Sequence, residues 1–396
     1  MNNSTKDQAP LAGIRVVDFS RMLPGPWCTQ MLADFGAEVI KVEHPPIGDL
    51  GRHNAPNFCK ESVYFNTVNL NKESIDLDLS RDEERSIVRQ LLDTADVVVE
   101  SFRTGVTRRL GIDYDSIRVT NPSVIYCSIT GFGQTGLFSN IPGHDLVVQS
   151  TTGSMGVTTG DGEKPPVNPG FQAADYAAAT YAIIGILAAL QRRASSEIGA
   201  HLDISMFDSL FSMSNVISNA ALARLAGFKD APQMELWGRN PRYATYPTKD
   251  GKAVAVSLLE AHIWKHFCEL IGRSDLIAPN ETARDRHTHH GERAALYREA
   301  IANLCKTHTR DELVAWMLTN DVPILPVYTP DEAIRSEHAA KRDLIEWIDH
   351  PVEGRIPVLA NPLARSGLTT GVRRPAPSLG ADRTRIIAKL QRTSIG

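Results

Sequence analysis

Cysteine is sparse in this chain of 396 residues: there are five, Cys28, Cys59, Cys127, Cys268 and Cys305. They are scattered, odd in number and never spaced as a CxxC pair. That pattern excludes a disulfide framework and the usual zinc spacings. It fits a reducing compartment, so a cytoplasmic protein without a bound metal is expected. Cys28 and Cys127 lie in apolar surroundings and read as core. No excess of one charge sign is present: 42 Lys and Arg face 46 Asp and Glu, for a formal net charge of −4. A general nucleic-acid surface is therefore not expected. Residues 1–10 are polar and no signal-peptide core follows them. The most apolar stretch, residues 177–190, is shorter than the ~20 residues of a membrane span and reads as a buried helix, so no membrane association is expected.

The common nucleotide and hydrolase motifs are also missing. There is no GxxxxGK[ST] phosphate cradle, and the loop after the first strand reads SRMLPGP where a dinucleotide fold would show GxGxxG. GxSxG and HExxH do not occur.

What remains is an ordinary globular composition, 42% hydrophobic and 22% charged, long enough for one large domain or two of usual size. Residues 13–19 (GIRVVDF) read as a buried strand, followed by a loop with Pro24, Gly25 and Pro26. Residues 27–35 have helical spacing with Gly36 as the stop, and residues 38–43 (EVIKVE) form the next strand. This is a β-α-β unit, which implies a parallel pair. The alternation continues with strands at 74–79, 97–100 and 124–129 and an amphipathic helix at 82–95 carrying Ile87, Leu91 and Leu92 on one face. Such alternation indicates an open α/β sheet. Residues 174–193 read as a helix apolar on nearly all sides, 201–206 as a short strand and 207–225 as a helix. Breakers at Gly238, Asn240, Pro241 and Pro247 mark a change of character. A strand at 252–258, helices at 264–271, 294–304 and 310–318, and a strand at 323–327 follow. The division expected is a large α/β domain over 1–225, a smaller domain over 226–330, and a proline-punctuated, loop-rich tail over 331–396 returning to the first.

One polar residue stands out. Asp175 sits at the entrance of the most apolar helix, within FQAADYAAATYAIIGILAAL. It reads either as a helix-start carboxylate that caps free N–H groups, worth about 0.5–2 kcal/mol, or as a partly buried nucleophile or base. Its small neighbours Ala173, Ala174, Ala177, Ala178 and Ala179 leave room for a substrate. Position alone leaves both readings open.

Taken in order, PLAGIRVVDFSRMLPGP, ADFGAEVIKVE, NLNKESIDLDL, DTADVVVESFRTGVTRRLG, NPSVIYCSITGFGQTG and ADYAAATYAIIGILAAL resemble the successive blocks of the family III CoA-transferases, the CaiB/BaiF family. In that family the catalytic aspartate precedes a Gly-Ile-Leu-Ala-Ala-Leu run by ten residues. Asp175 stands ten residues before Gly185, where that run begins. The resemblance implies a Rossmann-like sheet domain plus a smaller α+β domain, in an interlocked homodimer. It implies acyl-CoA and carboxylic acid substrates with no permanently bound cofactor, and CoA carried on Asp175 as an aspartyl thioester. It also places Met22, Leu23, Pro24, His44, Leu77, Ser101, Phe102, Arg109 and Met206 against CoA, and Tyr64 on the substrate side. Some relatives have Asn where Ser101 stands, Arg at His44, and lysines at Thr130 and Pro142.

The same resemblance offers an alternative. Related 2-methylacyl-CoA racemases move an α-proton with a His, an Asp and a Glu, which would here be His144, Asp175 and Glu260. The long insert at 45–65 and the ADYxxAxxA run favour transfer. Arg21, Arg239 and Arg242 are candidates to meet a second carboxylate of a dicarboxylic substrate, or else are ordinary surface residues.

Overall fold

The computed structural model describes residues 9–157, 166–232, 234, 238–371 and 373–393. Most of the polar N-terminal stretch thus lies outside the described residues. Along the chain, the elements begin with β1 (Arg15–Asp18), α1 (Pro24–Asp34), β2 (Glu38–Glu43), α2 (Val63–Val68), β3 (Glu73–Asp76), α3 (Asp82–Asp93), β4 (Val97–Glu100), α4 (Val106–Leu110), α5 (Tyr114–Ile117) and β5 (Ile125–Thr130). Then come α6 (Asp145–Thr151), α7 (Ala173–Ser196), β6 (Ala200–Ser205) and α8 (Met206–Met213).

Strands β1 to β6 form one wholly parallel sheet in the order β3-β2-β1-β4-β5-β6. This is the doubly wound, Rossmann-like order, in which the chain reverses direction between β1 and β4. Parallel strands buried on both faces need apolar residues at consecutive positions, which is why Val97, Val98 and Val99 are all fully buried. Val97 and Val99 join one core, with Cys28 and Leu32 of α1 and the alanines of α7. Val98 joins the opposite core, with Val88 and Leu91 of α3. The two faces are therefore covered by different helices.

Helix α1 starts three residues earlier than its spacing predicts. Pro24 sits in its first turn, where a missing N–H costs nothing. Gly25 permits this start, because a Cβ there would lie 2.2 Å from the Cβ of Ser20. Gly36 ends the helix as expected, with a φ of +100° that disfavours other residues. Helix α7 is longer than the apolar stretch suggested. It has 24 residues, and a window of 18 of them reaches a mean hydropathy of 1.6, enough by length and composition to cross a membrane. Its buried face instead packs into the sheet core through Ala174, Ala178, Ala182 and Ile186.

The helix read over 207–225 is two helices, broken at Ser214: α8 and α9 (Asn215–Leu225). A second compact unit begins there. It comprises residues 153–167 and 214–336, while the first unit holds the rest of the described chain. The second unit contains β7 (Tyr243–Pro247), β8 (Ala253–Ser257), α10 (Ala261–Leu270), α11 (Arg293–Thr307), α12 (Arg310–Thr319), β9 (Ile324–Pro326) and α13 (Pro330–Ile334). Its three strands pair antiparallel in the order β7-β8-β9. Its core gathers Trp264, Phe267, Ile301, Leu313 and Met317.

The tail is more regular than its prolines suggest. After α14 (Glu337–Lys341), β10 (Ile345–His350) and β11 (Gly354–Leu359) form a hairpin, and α15 (Arg383–Thr393) follows. Ile386 and Leu390 of α15 complete the core on the α3 face of the parallel sheet. The tail thus belongs to the first unit.

Candidate active site

In open α/β sheets ligands gather outside the carboxyl ends of the strands, near the point where strand order reverses. A cleft of about 360 Å³ lies at the ends of β1 to β4. Its apolar wall is Phe19, Val42, Leu77, Phe102 and Leu110, and its polar lining includes Arg21, His44 and Asp78. The Arg21 guanidinium stands 5.3 Å from the Phe102 ring centre, and the Arg21 N–H donates to the Ser101 hydroxyl at 3.0 Å. His44 is exposed, with its ring nitrogen 3.8 Å from the Asp78 carboxylate.

The loops around the cleft are held by charges buried beneath them. Asp18, at the end of β1, accepts from the Ser20 N–H at 2.9 Å and the Thr29 hydroxyl at 2.6 Å, and pairs with Lys72 at 3.1 Å. Lys41 of β2 pairs with Asp49 at 2.9 Å and donates to the Ser20 carbonyl at 2.8 Å. Asp49 in turn accepts the Met22 N–H at 3.0 Å. All four charged side chains are fully buried. Burial alone would raise the Asp18 carboxyl, but Lys72, Lys41 and the hydroxyls of Ser20 and Thr29 hold it down at about 2. Buried ion pairs add little net stability, and breaking one is costly. What they do here is fix geometry: Met22 is kept at a φ of +66°, a region that non-glycine residues rarely adopt.

Asp175 occupies the third position of α7 and is partly buried. The capping role open to it from sequence is filled by another residue. Asp145, the first residue of α6, accepts the Ala174 N–H at 2.8 Å and the Asp175 N–H at 3.5 Å through Oδ1. Gln149, one turn along α6, donates to the other Asp145 oxygen at 2.6 Å and to the Phe171 carbonyl at 2.9 Å. Among the described residues no hydrogen bond engages the Asp175 carboxyl. Burial, then the nearby Asp145 charge, push it up to about 7 from an ordinary 3.8. Two phenols lie within its electrostatic reach. Tyr64 of α2 and Tyr176 are both pushed up, first by burial and then by Asp175, so both stay protonated. The Tyr176 ring stacks on Phe171 with centres 5.0 Å apart and meets Trp27 edge-on at 5.3 Å. The carboxyl is thus a partly buried, weakly solvated group beside aromatic walls.

The family model for CoA-transferase family III matches residues 11–383. The chain belongs to CoA-transferase family III. It is 33% identical to the succinate–glutarate CoA-transferase of Agrobacterium fabrum, covering 99% of this chain and 98% of that protein. It is 32% identical to the succinyl-CoA:mesaconate CoA-transferase of Haloarcula hispanica, covering 95% of each. Among solved structures, a CaiB/BaiF family protein from Brucella suis superposes with a TM-score of 0.81 at 32% identity, covering 96% of this chain and 99% of that one. The chain is accordingly an enzyme of CoA transfer.

The structure distributes the expected site residues of this family III CoA-transferase unevenly. His44, Leu77 and Phe102 line the cleft. Met22, Leu23 and Pro24 form the loop and helix start beside it, and Ser101 anchors that loop through Arg21. Arg109 is exposed on α4, next to the cleft residue Leu110. Met206 is buried in the sheet core with α1 and α7. Tyr64 lies within electrostatic reach of Asp175. His144 directly precedes α6, is exposed, and among the described residues makes no hydrogen bond or ion pair with Asp175. Glu260 belongs to the second unit, at the start of α10, with its carboxylate 3.6 Å from Arg286.

Arg242 is not a surface residue. It is fully buried in the second unit, donating to the carbonyls of Leu258 and Leu259 and pairing with Glu281 at 2.6 Å. Arg239 is exposed, and of the three candidate arginines Arg21 alone lines the cleft. The sequence reading did not single out Asp145, Asp18, Lys41, Lys72 or Asp49. A signal existed for two of them: Asp18 and Lys41 interrupt apolar strand runs, and a charge buried in a strand requires a partner.

Proposed function

We propose that this enzyme moves CoA from a dicarboxylate thioester to a free dicarboxylate, with CoA carried on Asp175 as a thioester. The observation that carries this reading is the Asp175 carboxyl itself: partly buried, relieved of capping, and basic for a carboxylate. A less solvated, more basic carboxylate is a better nucleophile than one in water. An Asp175 oxygen attacks the thioester carbonyl, the C–S bond breaks, and a mixed anhydride forms as CoA leaves as thiolate. The thiolate attacks the Asp175 carbonyl carbon and expels the donor acid as carboxylate, leaving aspartyl-CoA. The acceptor carboxylate repeats the two steps in the reverse sense and restores Asp175. The protonated phenols of Tyr64 and Tyr176 are suited to donate hydrogen bonds to oxygens that gain charge along this path.

The cleft at the ends of β1 to β4 suits the nucleotide end of CoA. Phe19, Leu77 and Phe102 offer flat apolar contact for adenine, and Arg21 and His44 offer donors to phosphate. The dicarboxylate class follows the printed substrates of the two relatives. An interlocked homodimer remains part of the proposal. It is supported by exposed apolar side chains on both sides of Asp145, namely Leu137, Phe138, Ile141, Leu146 and Val147.

The test is chemical. Incubation with glutaryl-CoA and hydroxylamine should inactivate the enzyme and leave a hydroxamate on the peptide containing residue 175, read by mass spectrometry. Asp175→Ala should abolish CoA exchange, and retained exchange would defeat the assignment.

A further inference from the structure

Asp145 and Asp175 form a carboxylate pair built by two elements far apart in sequence. The Asp145 Oδ1 atom holds the N–H of the reactive residue itself as well as that of Ala174. Its Oδ2 is fixed by Gln149, which also holds the Phe171 carbonyl at the turn leading into α7. The side chain cannot leave this position without freeing the helix start. It therefore keeps its carboxyl group beside Asp175 and the start of α7 whichever substrate is bound.

We infer that Asp145 is a positioning residue: it aims the Asp175 carboxyl through the N-terminus of α7 and sets a second acidic side chain beside the nucleophile. The inference rests on Asp175 being the nucleophile. A neighbouring acidic group raises a carboxyl's proton affinity, and hydrogen-bond donors to the carboxyl lower it. Asp145 has three N–H donors and the Asp175 carboxyl has none among the described residues. The other groups acting at the site do not supply an opposing charge. Tyr64 of α2 and Tyr176 of α7 are protonated phenols, and among the described residues Asp145 is the one charged group that acts on Asp175. A nucleophile's reactivity rises with its basicity, so the pair favours attack at neutral pH over attack at acid pH.

The sequence carries a trace of this arrangement in DLVVQ, where Asp145 and Gln149 are four apart and share a face of α6. Asparagine at 145 separates charge from capping, because its carbonyl oxygen still accepts the Ala174 N–H. The experiment measures the rate at which glutaryl-CoA forms the thioester at residue 175, by rapid quench and peptide mass, between about pH 5.5 and 9. For the unaltered enzyme the rate should rise through about pH 7. In Asp145→Asn the rise should move about one pH unit lower, with a slower plateau. Asp145→Ser, which keeps a shorter capping oxygen, should show the same displacement, and Asp145→Glu should show none. Superimposable profiles for folded Asp145→Asn or Asp145→Ser overturn the inference and leave Asp175 as nucleophile. Absence of any adduct at residue 175 in the unaltered enzyme overturns both together.

Discussion

Asp175→Asn should make the enzyme inactive and more stable, and the stabilisation should depend on pH. Burial and the Asp145 charge raise the Asp175 carboxyl from an ordinary 3.8 to about 7 in the folded state. At ~1.4 kcal/mol for each tenfold change in proton affinity, the full effect is roughly 4 kcal/mol. The side chain keeps partial solvent contact, so screening reduces this to about 2–3 kcal/mol. The sign follows from which state binds the proton more tightly. Here it is the folded state, so Asp175 imposes no penalty below about pH 4, an increasing one as pH rises, and its full penalty above about pH 7. Asparagine has no charge to bury. The variant should match the unaltered enzyme at pH 4 and exceed it by about 2–3 kcal/mol at pH 8. Urea unfolding across that range reads the difference, and Trp27, 5.3 Å from Tyr176, offers a local fluorescence reporter. A stability gap that stays constant with pH, or one that favours Asp175 at pH 8, would refute the environment deduced for this carboxyl. The combination expected, stability gained where chemistry is lost, is characteristic of a group held against its own preference for function.

Two further outcomes follow from the same structure. Lys72→Met strips the fully buried Asp18 of its paired cation and should destabilise the protein by about 3–5 kcal/mol. Asp18→Asn combined with Lys72→Met should cost clearly less than the sum of the single changes, and additive losses in denaturant midpoints would show that the pair is not coupled. Phe102→Ala removes an apolar wall of the cleft and should raise KM for the CoA thioester about tenfold with kcat little changed. A fall in kcat at unchanged KM would place CoA elsewhere.

Much of the fold was legible in the sequence. Strands β2 and β4 fall at the residues expected, because β-branched apolar residues cluster there: Val39, Ile40 and Val42 in EVIKVE, and Val97, Val98 and Val99 in VVVE. The core positions of Cys28, on α1, and Cys127, on β5, were legible from their apolar surroundings. Where propensity and context diverged, the reading slipped. Pro24 looked like loop yet begins α1, Ser214 splits a helix that composition would continue, and the prolines of the tail hid a hairpin and α15.

Sequence by itself determined the alternation of strands and helices, and motif order marked Asp175, since both depend on residues close together in the chain. Tertiary structure alone decided which polar groups meet. Asp145 reaches the N-terminus of α7 across 29 residues, Arg242 finds Glu281 across 39, and Lys72 finds Asp18 across 54. The physical reason is that a carboxyl's proton affinity and an arginine's burial depend on neighbours that the fold brings close, and local periodicity carries no record of them.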